Sequence, residues 1–218
     1  MSGHKAPGEE LLGLELEGGW KVVEKLVRKP GSTGGNFSIG YRVKRGEGEF
    51  GFLKAIDISR ELLSGDPQAL QDQTEIFLHE RDLLAACGDC NHIVVALSSG
   101  TIKPNTIPDT LPLPVFYLIF ELASGDARQQ MNSKSPMTTY QRFRTLQHIS
   151  AGLQEMHKRL FAHQDIKPSN ILLFGKNVAA QEIYKLADLG RAHNISGANP
   201  NKLKNMPAMP ILLQRPST

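Results

Sequence analysis

The stretch His163-Gln164-Asp165-Ile166-Lys167-Pro168-Ser169-Asn170 constrains this chain more than any other, and the apolar run Ile171-Leu172-Leu173 follows it directly. An aspartate, a lysine two places on and an asparagine five places on are joined, after a second apolar run, by Asp188-Leu189-Gly190. Each residue type has a distinct task in phosphoryl chemistry. One carboxylate can accept a proton from an attacking hydroxyl, and the lysine can neutralise charge on the moving group. The asparagine and the second carboxylate can hold Mg²⁺ against phosphates. A polar loop between buried elements is the bland reading, and the spacing speaks against it.

Composition excludes several other classes. With 218 residues, 40% of them hydrophobic and 22% charged, the chain reads as soluble and globular, with one or two domains. The net charge is only +3 and the basic residues are scattered, so charge gives no support for nucleic-acid binding. The two cysteines form Cys87-Gly-Asp-Cys90, with His92 nearby and no second pair to complete a zinc site. Two reduced thiols at a helix end are expected, in keeping with a reducing compartment. No apolar run reaches the ~18 residues of a membrane span, and the N-terminus lacks a secretory core. A cytoplasmic or nuclear location and no membrane partner are therefore expected.

The 163–170 stretch and Asp188-Leu189-Gly190 resemble the catalytic loop, H-R-D-x-x-x-x-N, and the metal-binding turn, D-F-G, of eukaryotic-type protein kinases. The resemblance implies an α+β, two-lobe fold. Its small lobe would be an antiparallel sheet with one helix, and its large helical lobe would be incomplete in this sequence. It also implies ATP and Mg²⁺. Asp165 would orient the substrate hydroxyl, Lys167 would mark serine/threonine kinases, and Asn170 and Asp188 would hold the metal. Gln164 replaces the arginine that commonly pairs with a phosphorylated activation loop, so activation of that kind is less expected. Leu189 stands where phenylalanine is usual.

Upstream, residues 1–18 read as a flexible leader, and a small lobe is expected over 19–121. A strand begins at Trp20, and the glycine-rich turn Gly31–Val43 leads back into another. Small residues there let backbone N–H groups approach phosphate oxygens. By resemblance to the phosphate-covering loop, Thr33, Gly35 and Ser38 fall at its glycine places and Gly40 where a valine is usual. Gly51 to Asp57 reads as a strand, and Phe52-Leu53-Lys54-Ala55-Ile56 resembles the V-A-I-K signature, which makes Lys54 the ligand of the ATP phosphates. A helix capped at Asp66 and opened by Pro67 would supply a carboxylate to Lys54. Glu80 is the first choice and Glu75 the alternative.

Ile93 to Ile102 is expected to be a strand, Lys103 to Leu113 a loop, and Val115 to Phe120 a buried strand. The continuation Glu121-Leu122-Ala123 resembles the hinge whose backbone, at Glu121 and Ala123, would bond the adenine edge. Asp126 is expected to cap the next helix. A long helix from Met137 to Lys158 carries Phe143, Leu146, Ile149, Leu153 and Met156 at three- and four-residue spacing, which predicts one buried stripe. The first part of a large lobe is expected over 122–193 and an irregular tail over 194–218. An apolar face left open on that lobe invites a partner.

Two functions compete. One is a protein kinase that transfers the ATP γ-phosphate to serine or threonine of a protein substrate. The alternative is a truncated nucleotide-binding or partner-binding module without turnover. A small-molecule phosphotransferase is disfavoured by Lys167-Pro168.

Overall fold

Alternating burial along the strands builds a six-stranded antiparallel sheet with one face sealed into a core. The computed structural model describes residues 6–27, 38–59, 65–103, 115–135, 137–175 and 182–195. The chain divides into two compact units, Met1–Arg81 with Ala96–Leu122 and Asp82–Val95 with Ala123–Thr218. The small lobe expected as the continuous span 19–121 is therefore interrupted.

In the first unit the strands are β1 (Glu15–Leu16), β2 (Trp20–Lys25), β3 (Ser38–Arg45), β4 (Glu49–Asp57), β5 (Ala96–Ile102) and β6 (Val115–Glu121), in the order β1-β2-β3-β4-β6-β5. Trp20, Val22, Tyr41, Val43, Leu53, Ala55, Tyr117 and Ile119 point to one face and are almost completely buried. Leu11 and Leu16, with Leu14 beside them, close over that face. The leader expected over 1–18 is thus corrected for its described part. Gly8 N–H donates to Asp57 Oδ2 at 2.6 Å, and the Tyr41 hydroxyl donates to Gly8 O at 2.7 Å. Three leucines at short spacing, each too apolar to leave in water, fasten the segment down.

Helix α1 (Pro67–Ala86) starts as expected, with Gln68 and Ala69 N–H both donating to Asp66 Oδ1. Its Phe77 ring stacks on Phe116 of β6, with 4.7 Å between centroids. After the helix the chain does not enter β5 at Ile93. Ile93 instead bridges to Leu186, and the Val94 N–H donates to Leu186 O at 2.8 Å. These pairings belong to the second unit.

That unit holds β7 (Gly125–Asp126), α2 (Ala127–Met131), α3 (Thr139–Lys158), β8 (Phe161–Ala162), β9 (Ile171–Phe174), β10 (Ile183–Leu186) and β11 (His193–Asn194). Its sheets are β10-β9-β7 and β11-β8, so Asn194 lies in a strand where the irregular tail was expected to begin. Residues 196–218 lie outside the described part. Asp126 caps α2 by accepting from Gln129 N–H at 2.8 Å. A capping box between Thr138 and Gln141 opens α3.

The expected stripe on α3 is corrected. Its buried residues are Thr145, His148, Ile149, Gly152 and Met156, whereas Phe143 is 69% and Leu146 63% exposed. Gly152 decides the rotation. A Cβ built there would lie 2.8 Å from the His92 carbonyl oxygen, so the helix presents its smallest residue to that segment. Phe143 and Leu146 then turn away from the buried face.

Candidate active site

In the first unit, strand alternation turns Lys54 away from Leu53 and Ala55, to the face opposite the core. Its Nζ donates to both carboxylate oxygens of Glu80 at 2.8 Å each, and Glu80 is 2% exposed. Phe77 and Glu80 lie three residues apart on one face of α1, so the ring stack on Phe116 also fixes the carboxylate. Glu75, the alternative partner, is exposed and accepts instead from Gln71 Nε2 at 2.8 Å. Ser38 begins β3 opposite Ile56, and Glu121 ends β6 opposite Gly51. Thr33 and Gly35 lie outside the described residues.

In the second unit, the segment 163–170 is drawn together around Asp165. Lys167 Nζ donates to Asp165 Oδ2 at 2.5 Å, and Asn170 Nδ2 donates to Oδ2 at 3.0 Å and to the backbone oxygen of Asp165 at 2.9 Å. Burial pushes the Asp165 carboxyl up. The Lys167 hydrogen bond and charge outweigh it, with help from Asn170 and Arg191, and hold the group below the usual carboxylate range. Asp165 is ionised at neutral pH.

The turn carrying Asp188 is fastened to this loop by its backbone. Ala187 N–H donates to Asn170 O at 2.9 Å. His163, to which the sequence reading gave no task, makes the second tie. Its Nε2 lies 3.2 Å from Ala187 O, and its Nδ1 accepts from Asp165 N–H at 3.3 Å. That pair of contacts puts the proton on Nε2. Burial lowers the pKa of this imidazole, which keeps it neutral for the task. Asp188 takes left-handed backbone angles, φ 64° and ψ 67°, and Leu189 behind it is fully buried. The position of His163, two residues before Asp165 in the same motif, was the available signal.

Residues 34–208 match the profile of the family described as Protein kinase domain. The chain belongs to the protein kinase domain family. Among similar curated proteins, Death-associated protein kinase 2 of Mus musculus and of Homo sapiens are each 36% identical over 84 residues, which is 36% of this chain and 21% of theirs. Cell division control protein 2 homolog 2 of Trypanosoma brucei brucei is 37% identical over 81 residues, 36% of this chain and 22% of its own. The chain thus aligns with about a fifth of the length of these relatives. The antiparallel sheet with helices is the α+β arrangement of the kinase family. Among the described residues no helix is long and apolar enough to cross a membrane.

A histidine pair supports the strand that leads into the Asp188 turn. His148 on α3 stacks on His92 at 4.3 Å between centroids, and its Nδ1 accepts from Tyr184 N–H of β10 at 3.1 Å. His92 Nδ1 lies 3.1 Å from Tyr184 O. Burial, then the neighbouring His92 and Arg144, push the pKa of His148 from 6.5 down to about 4. Protonation therefore opposes folding. The stabilising contribution is complete above pH 6.5 and is lost as pH falls towards 4. About 2 kcal/mol should disappear between pH 7 and pH 5. Denaturant titrations at both pH values should show this loss, and His148→Asn, whose Oδ1 can still accept from Tyr184 N–H, should lose less. Equal losses in both proteins would contradict the assignment.

Proposed function

We propose that this kinase chain transfers the γ-phosphate of ATP to serine or threonine hydroxyls of proteins. The observation that carries the reading is the ionised Asp165 carboxylate, gripped by Lys167 and Asn170 in a loop tied to the Asp188 turn. Asp165 accepts the hydrogen bond of the attacking hydroxyl and takes its proton as the hydroxyl oxygen bonds to the γ-phosphorus and the bond from that phosphorus to the bridging oxygen breaks, releasing ADP. Lys167 stands beside that carboxylate, where its ammonium meets the negative charge of the transferred group. Lys54, oriented by Glu80, takes the non-transferring phosphates, and the Glu121 and Ala123 backbone takes the adenine edge. By resemblance, Thr33, Gly35 and Ser38 cover the phosphates.

Asn170 and Asp188 fit Mg²⁺. The asparagine engages Asp165 through its amide nitrogen, which leaves the oxygen as the cation donor. Among the described residues no three His, Cys, Asp or Glu side chains cluster as a metal site. A hard ion that takes a few protein oxygens, with phosphates and waters completing its shell, suits such a sparse set. When bound, the ion neutralises phosphate charge.

Lys167, by its resemblance to the lysine that follows the catalytic aspartate in serine/threonine kinases, supports serine and threonine over tyrosine. The test is transfer of label from ATP by the purified chain to matched peptides carrying serine, threonine or tyrosine. Labelling of the serine and threonine peptides is expected. Labelling confined to tyrosine would overturn the specificity, and nucleotide binding without any labelling would favour a module without turnover.

A further inference from the structure

Cys87 and Cys90 lie in the second unit, in the turn that carries the chain from the end of α1 to His92. Cys87 N–H continues the helical bonding by donating to Leu83 O at 3.0 Å, and Cys90 N–H donates back to Cys87 O at 2.9 Å. The second bond closes a tight turn, which holds its end α-carbons within about 7 Å. A disulfide spans about 4.4–6.8 Å between α-carbons, so the turn brings the pair to the separation a bridge needs. Both thiols are free and turned inward, Cys87 being 1% and Cys90 4% exposed. They also face each other, since the Cys87 thiol donates a hydrogen bond to the Cys90 sulfur.

The surroundings set the two sulfurs apart. Burial pushes both thiols up, and it carries Cys87 to about 12. At Cys90 the next influence is Arg159, whose charge favours the thiolate. That guanidinium is held at the turn by Asp89 at 2.8 Å and by Glu155 at 2.9 Å. Asp89, whose Oδ1 accepts from Cys90 Sγ at 3.8 Å, and Glu155 resist the ionisation, while the bond from Cys87 supports it. Cys87 therefore keeps its proton, and Cys90 is the sulfur more readily ionised. The thiolate is the form that attacks an oxidant.

We propose that Cys87 and Cys90 are a reversible oxidation site, a dithiol that hydrogen peroxide converts to a disulfide, with Cys90 reacting first. The Cys90 sulfur attacks one peroxide oxygen and the O–O bond breaks. Cys90 becomes a sulfenic acid, and the other oxygen takes a proton and leaves as water. The Cys87 sulfur then attacks the Cys90 sulfur. The S–O bond breaks, and the Cys87 proton leaves with the hydroxide as a second water. The two thiols lose two electrons and the peroxide gains them. A dithiol reductant reverses the step by thiol–disulfide exchange. The site stands apart from the nucleotide reading. Beyond the turn, His92 O accepts from Leu186 N–H at 2.9 Å, so the bridge would restrain the backbone that leads into the support of β10.

The test starts from the wild-type chain, reduced, freed of reductant and exposed while folded to graded hydrogen peroxide. Thiols are then alkylated under denaturing conditions and the peptides weighed, with Met131, 58% exposed, as the gauge of dose. The peptide holding both cysteines should lose two hydrogens and both alkylation sites before half of Met131 is sulfoxide, and dithiothreitol should restore them. The oxidised chain should melt no lower than the reduced one, because the bridge closes a turn already formed and restrains the unfolded chain. In Cys87→Ser, dimedone should trap a sulfenic acid on Cys90. In Cys90→Ser, trapping at Cys87 should be several-fold slower. The wild-type result stands without either variant, should one fail to fold. Thiols that still alkylate fully once Met131 is oxidised would overturn the proposal and show a buried, inert pair. A disulfide between two copies of the chain, or one that lowers the melting temperature, would overturn it too. Faster trapping at Cys87 than at Cys90 would overturn the assigned order.

Discussion

Asp165→Asn should lower phosphoryl transfer by about 10²- to 10⁴-fold, the range for losing a positioned proton acceptor, while nucleotide affinity and melting temperature stay near wild type. The asymmetry follows from the contacts. Asparagine keeps an oxygen where Lys167 Nζ and Asn170 Nδ2 both donate, so the loop retains its shape. It loses the negative charge and the ability to hold a transferred proton. Removing that charge also frees Lys167 from its ion pair, which leaves it available to phosphate and works against any loss of nucleotide affinity. Single-turnover transfer measured beside a melt with Mg²⁺-ATP separates the two quantities. Transfer unchanged by the substitution would sink the assignment of Asp165. Loss of both transfer and the melt shift would mean that the carboxylate holds the loop together and would leave its chemical role without support.

The parts of this protein that were legible in its sequence are those governed by local spacing. Asp165, Lys167 and Asn170 lie within one short segment, and their types and intervals survive any uncertainty about distant packing. Asp66-Pro67 is also a local signal and opens α1 where expected, and α3 starts at Thr139, two residues into the helix expected from Met137. The choice between Glu80 and Glu75 depended on helix rotation. Rotation is settled by the Phe77–Phe116 stack, a contact between residues remote in sequence. The stripe on α3 holds at Ile149 and Met156 and fails at Phe143 and Leu146 for a related reason. Phe143 and Leu146 satisfy the helical period, yet the buried face follows Gly152 and the polar pair His148 and Thr145, which an apolar count overlooks. His163 and His148 act through backbone partners in other elements, at Ala187 and Tyr184, and no side-chain motif records such partners. The segment before Trp20 looked unattached because its leucines find their contacts on strands far along the chain.

The Lys54–Glu80 pair has a stability consequence separable from its proposed role with phosphate. Lys54→Met strips the partner from a carboxylate that is 2% exposed and leaves its charge buried. Breaking a buried pair from one side costs about 3–5 kcal/mol. Lys54 itself is 20% exposed, so water softens the effect and about 3 kcal/mol is expected, the low end of that range. Lys54→Met/Glu80→Gln should recover most of the loss, because a neutral amide is far cheaper to bury than an unpaired carboxylate. Affinity for Mg²⁺-ATP should be low in both, since both lack the cation proposed to meet the phosphates. Urea titrations give the first quantity and calorimetry the second. Stability unchanged in the single variant would show that Glu80 has other compensation. Binding restored in the double variant would remove Lys54 from the nucleotide site and with it the link between this strand and ATP.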